Sequence, residues 1–270
     1  MTLSLVVIAR NEQARIGECL SSVPFADEKL VVDSGSTDRT VAIAREHGAG
    51  VLSRPFDSYS AQKAWAASQA AGDWILSLDA DESLDPELAA AMEALLRGVP
   101  PRDGYRLRFR VVFEGAPMRF GPWSGETHLR LYRKGAAAYG GGSVHEGLST
   151  PGPTGLLAPG FVIHRSWESG EDMEEKMERY AALWARSSPS RRCPGLQAAL
   201  RPAWRLFSGF VLGGGFLEGG RGWRASVACA RYARRKWMLL RDAGAQGPAV
   251  TSVPGSTPSR SHTGDDEPGT

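Results

Sequence analysis

An α/β fold, with a mainly parallel central sheet covered by helices on both faces, is predicted by three features of the chain. Apolar, β-branched runs alternate with helical patterns through the first hundred residues. The runs are continuous, as a sheet buried on both faces requires. Acidic residues stand directly after two of them, at Asp33 and at Asp79.

Each element follows in order. Leu3 to Ala9 is the first strand. A helical pattern comes next, with Asn11 as N-cap and Ile16, Cys19 and Leu20 on one face. Leu30 to Val32 is a second strand, and a Gly/Ser turn leads into a helix from Asp38 to His47, with Gly48 as C-cap. Val51 begins a third strand, and Ser60 to Ala71 is an alanine-rich helix. Trp74 to Leu78 is a fourth strand, and Pro86 to Arg97 a helix with Pro in its first turn. From Tyr105 the pattern changes to alternation, in Tyr105 to Phe113 and again in Thr127 to Arg133, with Glu114 to Pro117 as a turn. These strands, and a short one from Phe161 to Arg165, are expected as antiparallel additions to the sheet edge, with a mobile loop at Gly140 to Gly142. Asp172 to Arg186 is helical, with acids at its start, as the helix dipole favours. Leu196 to Leu240 contains two more helices interrupted by glycine runs.

The expected organisation is one domain over residues 1–190, divided near 100, then an amphipathic helical region over 191–242 and a disordered tail over 243–270. The tail holds almost no large apolar residue, so burial cannot offset its ordering entropy. With 42% hydrophobic and 23% charged residues, the composition is that of a globular chain. Three scattered cysteines suggest neither a disulfide frame nor a zinc site, and a reduced cytoplasmic setting fits. No apolar run reaches the roughly 18 residues needed to span a bilayer, and the first strand lacks the basic start of a signal peptide.

The net charge of +2 gives no global field for nucleic acid, and no nucleic-acid motif is present. The charge is local instead. From Arg179 to Arg241 the only acid is Glu218, while arginines and aromatic residues such as Trp204, Phe207, Phe216 and Trp223 are interleaved. Such a surface suits an anionic membrane, or else packs on the domain with its arginines in water.

Two motifs carry chemistry. Asp79-Ala80-Asp81-Glu82 ends an apolar strand, where ligands of open α/β sheets bind. Magnesium or manganese is held by one or two carboxylates together with substrate phosphates, which suits this pair. The same acids, with Asp85, also suit capping of the helix that starts at Pro86. Asp33-Ser34-Gly35-Ser36-Thr37-Asp38 follows the second strand. It offers a carboxylate for a nucleobase N–H, or is a strand–turn–helix connection capped by Ser36 or Thr37.

The ordered set Val6 to Glu12 (VVIARNE), Val31 to Thr40 (VVDSGSTDRT) and Gln62 to Glu82 (QKAWAASQAAGDWILSLDADE) resembles glycosyltransferase family 2. Arg130 to Lys134 (RLYRK), Val144 to Leu148 (VHEGL) and Gly215 to Trp223 (GFLEGGRGW) are similar to a narrower group, the lipopolysaccharide core glucosyltransferases. The resemblance spans residues 1–242 and implies a GT-A fold, a Rossmann-like nucleotide half joined to an acceptor half. It implies that Ala9, Arg10 and Glu12 border the nucleotide, that Asp33 binds the base and that Lys63 lies near the nucleotide. It implies further that Asp79 contacts the ribose or a metal-bound water, and that Asp81 ligates a divalent Mg or Mn ion. Ala64-Trp65 stands where the family often has Asn.

An inverting transfer needs one base for the acceptor hydroxyl. Glu146, after the glycine loop, is the candidate, with Glu126 and Glu114 behind it. His164, at the end of a short strand, is the candidate second metal ligand. Arg130 and Arg133 are either phosphate clamps or solvated faces of a strand. The reading is an inverting, metal-dependent transfer of a sugar, glucose first, from a UDP-linked donor. The implied acceptor is a lipid-linked saccharide of the lipopolysaccharide inner core, on the inner face of the inner membrane. The alternatives are another cell-envelope glycan, a sugar nucleotidyltransferase and a non-catalytic membrane adaptor. The nucleotidyltransferase lacks its glycine-rich loop at Arg10 to Arg15.

Overall fold

The computed structural model describes residues 1–140, 147–167, 170–186 and 195–245. Strands β1 (Leu3–Ala9), β2 (Glu28–Asp33), β3 (Gly50–Ser53) and β4 (Trp74–Asp79) are separated by helices α1 (Ile16–Ser21), α2 (Thr40–Glu46) and α3 (Tyr59–Gln69). β5 (Glu82–Leu84) and α4 (Pro86–Arg97) follow. Then come β6 (Gly104–Phe113), β7 (Ala116–Pro117), β8 (Thr127–Arg133), β9 (Ala138–Gly140), β10 (Gly147–Ser149), β11 (Thr154–Leu156) and β12 (Val162–His164). Helices α5 (Gly170–Arg186), α6 (Gly195–Phe207) and α7 (Gly219–Ala245) complete the described chain.

β1 is the axis of the sheet. Parallel strands flank it on both sides, β2 then β3 on one and β4 on the other. Its odd-numbered residues Leu3, Leu5 and Val7 pack with Ile16, Leu20, Leu88 and Met92 of α1 and α4. Its even-numbered Val6 packs on the other face with Ala66 of α3 and with Ala70. Two buried faces explain why the strand sequence is apolar throughout.

The expected antiparallel additions are met in part. β8 extends the parallel strands beyond β4 and pairs antiparallel with both β4 and β6, whereas β12 joins β6 in parallel. Alternation along β8 is compatible with an edge or an interior position, so the order is decided by which partners bury Leu131 and Tyr132. The first helix is also corrected. It begins at Ile16, and Asn11 is not its N-cap but takes a left-handed backbone with φ 56°. Gly219 and Gly220 start α7 rather than interrupt it, and α7 continues to Ala245, three residues past the expected boundary. The rest of the expected tail, and the glycine loop from residue 141, lie outside the described residues.

Of the acids assigned to capping, only Asp85 caps. Its Oδ1 accepts from the Leu88 amide at 2.8 Å, while its Oδ2 accepts from the Phe161 amide at 3.0 Å. One side chain therefore starts α4 and fixes the approach to β12. Gly160 permits this closeness, since it sits at φ 97° and a Cβ there would lie 2.2 Å from the Leu88 nitrogen. At the other end of the chain, α5 packs along α7. Trp184 meets Trp237 edge-on, and Met173 and Ala225 join Phe113 and Met118 in a separate apolar cluster.

Replacing Asp85 by Ala removes both acceptors. Chemical denaturation is expected to show a loss of about 1–2 kcal/mol, at the upper end of the range for a lost N-cap.

Candidate active site

The carboxyl ends of β1, β2 and β4 meet where the sheet order reverses around β1, the place where open α/β sheets hold ligands. Ala9 ends β1 in register with Asp33, and its carbonyl accepts from the Ser34 amide at 2.9 Å. Beyond these ends two loops are laced together. Asn11 Oδ1 accepts from the Thr37 amide at 2.9 Å, and the Asn11 amide donates to Ser36 Oγ at 2.9 Å. The Glu12 amide donates to Thr40 Oγ1 at 2.7 Å, and Gln13 Oε1 accepts from the Arg39 amide at 3.1 Å. The polar residues of both motifs thus build the rim of the cleft.

Asp33 is buried and shapes its own turn. Oδ2 accepts from the amides of Gly35 and Ser36, each at 3.0 Å, and Oδ1 accepts from Ser36 Oγ. Gly35, at φ 88°, supplies the left-handed step that aims those amides back. Arg10 is exposed at the mouth. Glu12 lies beside Arg15, with Oε2 3.0 Å from the guanidinium. Burial first, and then the charge of Asp81, push the Glu12 carboxyl up.

Behind them sits a cluster of buried charge. Lys63, from α3, places Nζ 2.8 Å from Asp79 Oδ1, and Arg130, from β8, places a nitrogen 3.0 Å from Asp79 Oδ2. The same guanidinium nitrogen reaches Glu82, whose second oxygen accepts from the Asp79 amide at 3.0 Å. Burial alone would raise the Asp79 carboxyl, but Lys63 and then Arg130 hold it well below the usual carboxylate range. Burial also leads for Glu82 and pushes it up. Lys63 and Asp79, both expected near the nucleotide, are therefore brought together in one ion pair.

Asp81 stands forward of this cluster. Its carbonyl accepts from the Arg165 amide at 2.9 Å, and its Oδ2 lies 3.4 Å from His164 Nε2. The Ser166 hydroxyl is 2.8 Å from the same ring nitrogen. Burial would push His164 down, yet the hydrogen bond and charge of Asp81, backed by Glu82 and Asp79, prevail and push it up to about 9. Asp81 and His164 are thus adjacent, as their assignment to one site requires.

Among the described residues no group of three or more His, Cys, Asp and Glu side chains could hold a metal ion. Both Asp79 oxygens already face cations. What remains is one carboxylate and one imidazole, which fits a divalent ion completed by phosphate oxygens of a bound donor.

Glu146 lies outside the described residues. Of the residues behind it, Glu114 is held bidentately by Arg224 at 2.7 and 2.5 Å, and Glu126 lies 3.9 Å from His128. Arg133 faces Asp103 and stacks on Trp74 away from this cluster, so of the two arginines only Arg130 points into it. Two contributions were not read from the residue pattern. Gln62 donates to Ser34 Oγ at 2.9 Å under the Asp33 turn, and Glu82, read only as a strand-end and capping acid, faces Arg130. Gln62 adjoins Lys63 inside the third motif, so its position was a signal.

Residues 4–100 match the family model described as Glycosyl transferase family 2. Over a longer stretch, the chain is 30% identical over 249 residues to an uncharacterized glycosyltransferase of Rickettsia prowazekii (strain Madrid E), covering 86% of this chain and 85% of that one. The chain belongs to glycosyltransferase family 2. This glycosyltransferase is also 32% identical over 191 residues to the lipopolysaccharide core biosynthesis glycosyltransferase LpsC of Rhizobium meliloti (strain 1021), covering 68% and 71% of the two chains. Among solved structures it is similar to the glucosyl-3-phosphoglycerate synthase of Mycobacterium tuberculosis in complex with Mn2+, UDP and glucosyl-3-phosphoglycerate. That likeness has a TM-score of 0.44 and 19% identity, and covers 68% and 77% of the chains.

The raised His164 has a consequence for stability. A folded value of about 9 against an ordinary 6.5 means that its contribution is complete below pH 6.5 and is lost as pH rises through about 9. Urea midpoints measured across that window are expected to fall, and His164→Gln is expected to flatten the fall.

Proposed function

We propose that this family 2 glycosyltransferase moves a sugar, glucose first, from a UDP-linked donor to a lipid-linked saccharide with inversion at the anomeric carbon. The acceptor class we assign is the lipopolysaccharide inner core, reached from an anionic membrane surface on the cytoplasmic face of the inner membrane. The observation that carries the reading is the convergence of Asp33, the Lys63–Asp79–Arg130 ion pairs and the Asp81–His164 pair at one end of the sheet. The similarity to LpsC supports the acceptor class.

Each residue has a part. Ala9, Arg10 and Glu12 border the nucleotide, and Asp33, held rigid by its turn, accepts from the base. Lys63 and Arg130 keep Asp79 ionised, so that its carboxylate stays fixed toward the ribose. Asp81 and His164, the latter as neutral imidazole, would hold a divalent Mg or Mn ion against the diphosphate. When bound, such an ion supplies charge neutralisation for the departing nucleotide.

Glu146 takes the proton of the acceptor hydroxyl as that oxygen attacks the anomeric carbon. The new C–O bond forms on one face while the bond to the diphosphate breaks on the other, and the electron pair leaves with UDP. A base within hydrogen-bond reach contributes about 10²–10⁴-fold to such a step. Glu114 is less suited, because the Arg224 fork occupies both its oxygens and holds its carboxyl down.

Calorimetric titration with UDP, GDP and UDP-glucose, with and without Mn2+, tests the donor site. Metal-dependent binding of the uridine ligands that Asp81→Ala abolishes is expected; a folded protein that binds no nucleotide sinks the reading. For the base, Glu146→Gln is expected to keep donor binding and lower kcat by roughly 10²–10⁴-fold. Retention of most of kcat would move the assignment elsewhere.

A further inference from the structure

The donor site makes no use of the run from Phe207 to Trp223, which forms an elbow between α6 and α7. A π-helical turn at Ser208–Leu212 is followed by a 3-10 turn at Gly215–Glu218. Glycines let the backbone close on itself. A Cβ on Gly213 would lie 2.5 Å from the Gly121 oxygen, and one on Gly222 only 1.8 Å from the Gly215 oxygen. The elbow is also bonded to the body. The Gly121 amide donates to the Gly213 carbonyl at 2.7 Å. Glu218 Oε1 accepts from the amides of Arg119 and Phe120 at 2.7 and 3.2 Å.

This tight frame carries large apolar side chains outward. Leu212, Phe216 and Leu217 are 64%, 54% and 59% exposed. Trp204, Phe207 and Trp223 extend the same exposed surface. Ring contacts join Phe210 to both Phe216 and Trp223, and Trp204 to Phe207. Scattered exposed apolar residues need no explanation, but a contiguous set on a fixed frame marks a partner. The net charge around it is positive. Between Leu200 and Arg224, Arg221 is paired with Glu218 and Arg224 with Glu114, which leaves Arg201 and Arg205 with no facing carboxylate among the described residues. No helix among the described residues is long and apolar enough to cross a membrane.

We propose that this elbow is the surface by which the enzyme seats in the interface of an anionic bilayer. Leu212, Phe216 and Leu217 enter the acyl boundary. Trp204 and Trp223 lie at headgroup depth, where an apolar ring with a polar edge is best accommodated, and Arg201 and Arg205 meet lipid phosphates. The unbalanced charge of Arg201 and Arg205 beside an apolar tip complements an anionic lipid surface, which a protein partner would not need. The inference rests on the lipid-linked acceptor reading for its purpose, but its test is independent of donor chemistry.

The experiment is co-sedimentation of the full chain with phosphatidylglycerol-containing vesicles and with pure phosphatidylcholine vesicles, at low and high salt. The full chain is expected to pellet with the anionic vesicles and to be released by salt. Phe216→Asp with Leu217→Asp is expected to lower partitioning at least about tenfold, since each buried side chain of this size is worth that factor. Val99→Asp, at an exposed apolar position outside the elbow, is expected to change nothing. Because both elbow positions face water, the double variant folds, and UDP binding on the same sample checks that it does. Failure of the unaltered chain to bind anionic vesicles overturns the proposal. So does undiminished binding by the double variant, or self-association that the double variant abolishes while vesicles are ignored. Vesicle binding without nucleotide binding would leave the surface standing and sink the donor reading instead.

Discussion

Lys63, Asp79, Arg130 and Glu82 form the interaction on which the rest of the site depends, because they join four elements at a largely buried point, with Lys63 and Glu82 covered and Asp79 partly exposed. Lys63 comes from α3, Asp79 from β4, Glu82 from β5 and Arg130 from β8. Taking each ion out of water costs several kcal/mol, so the cluster holds only because every charge faces an opposite one at hydrogen-bond distance. Such clusters contribute little net stability when complete, but losing one partner costs about 3–5 kcal/mol, since the rest stay buried and unpaired. The geometry also explains the antiparallel β8 in a mainly parallel sheet. Its insertion beside β4 delivers the cation that lets two neighbouring acids coexist. With Asp79 and Glu82 neutralised from behind, Asp81 is left as the forward carboxylate, facing the cleft with His164.

The loops in front of the sheet follow a different logic, in which side chains replace the missing secondary structure. Asn11, Gln13, Asp33 and Asp38 all bond backbone amides of the two facing loops. A loop held this way keeps its amides in place before a ligand arrives, so less ordering entropy is lost on binding. The chemistry of the motif residues is therefore divided. Asp33 and Asn11 tie the loops together, while Asp81 and His164 pair with each other and Arg10 is exposed.

The C-terminal helices apply close packing to display rather than to burial. Around the elbow, glycines bring backbone against backbone, and the side chains that would ordinarily fill a core point outward. On the far side of α7 the same helix is anchored conventionally, with Arg224 on Glu114, Arg235 on Glu178 and Trp237 on Trp184. Many of the arginines that stand out in the linear chain thus balance acids of α5 and of the turn after β6. The local basic surplus is concentrated at the elbow.

Much of the first hundred residues was legible in the residues themselves. Apolar runs ending in Asp33 and Asp79 placed carboxylates at strand ends, because strand length and polarity are local properties of the chain. The same holds for α4, whose Pro86 and Asp85 mark its start. Asn11 shows where local reasoning stops: as a cap it would serve its own helix, but its partner is Thr37, across the sheet edge. Arg130 shows it again. Alternation put it on one face of a strand and left phosphate clamp and solvated charge equally open, and only the burial of β8 beside β4 turned it toward Asp79 and Glu82. The chain by itself determined β1 to β4, β6, β8 and β12, which carboxylates end β2 and β4 and where charge accumulates, since these follow from neighbours in sequence, whereas the short strands β5, β7, β9, β10 and β11 carried no such pattern. Strand order, the pairing of Lys63 with Asp79 and of Asp81 with His164, and the outward face of the elbow were decided by tertiary structure. Each depends on which distant group excludes water from a charge or an apolar side chain, and that has no local signature.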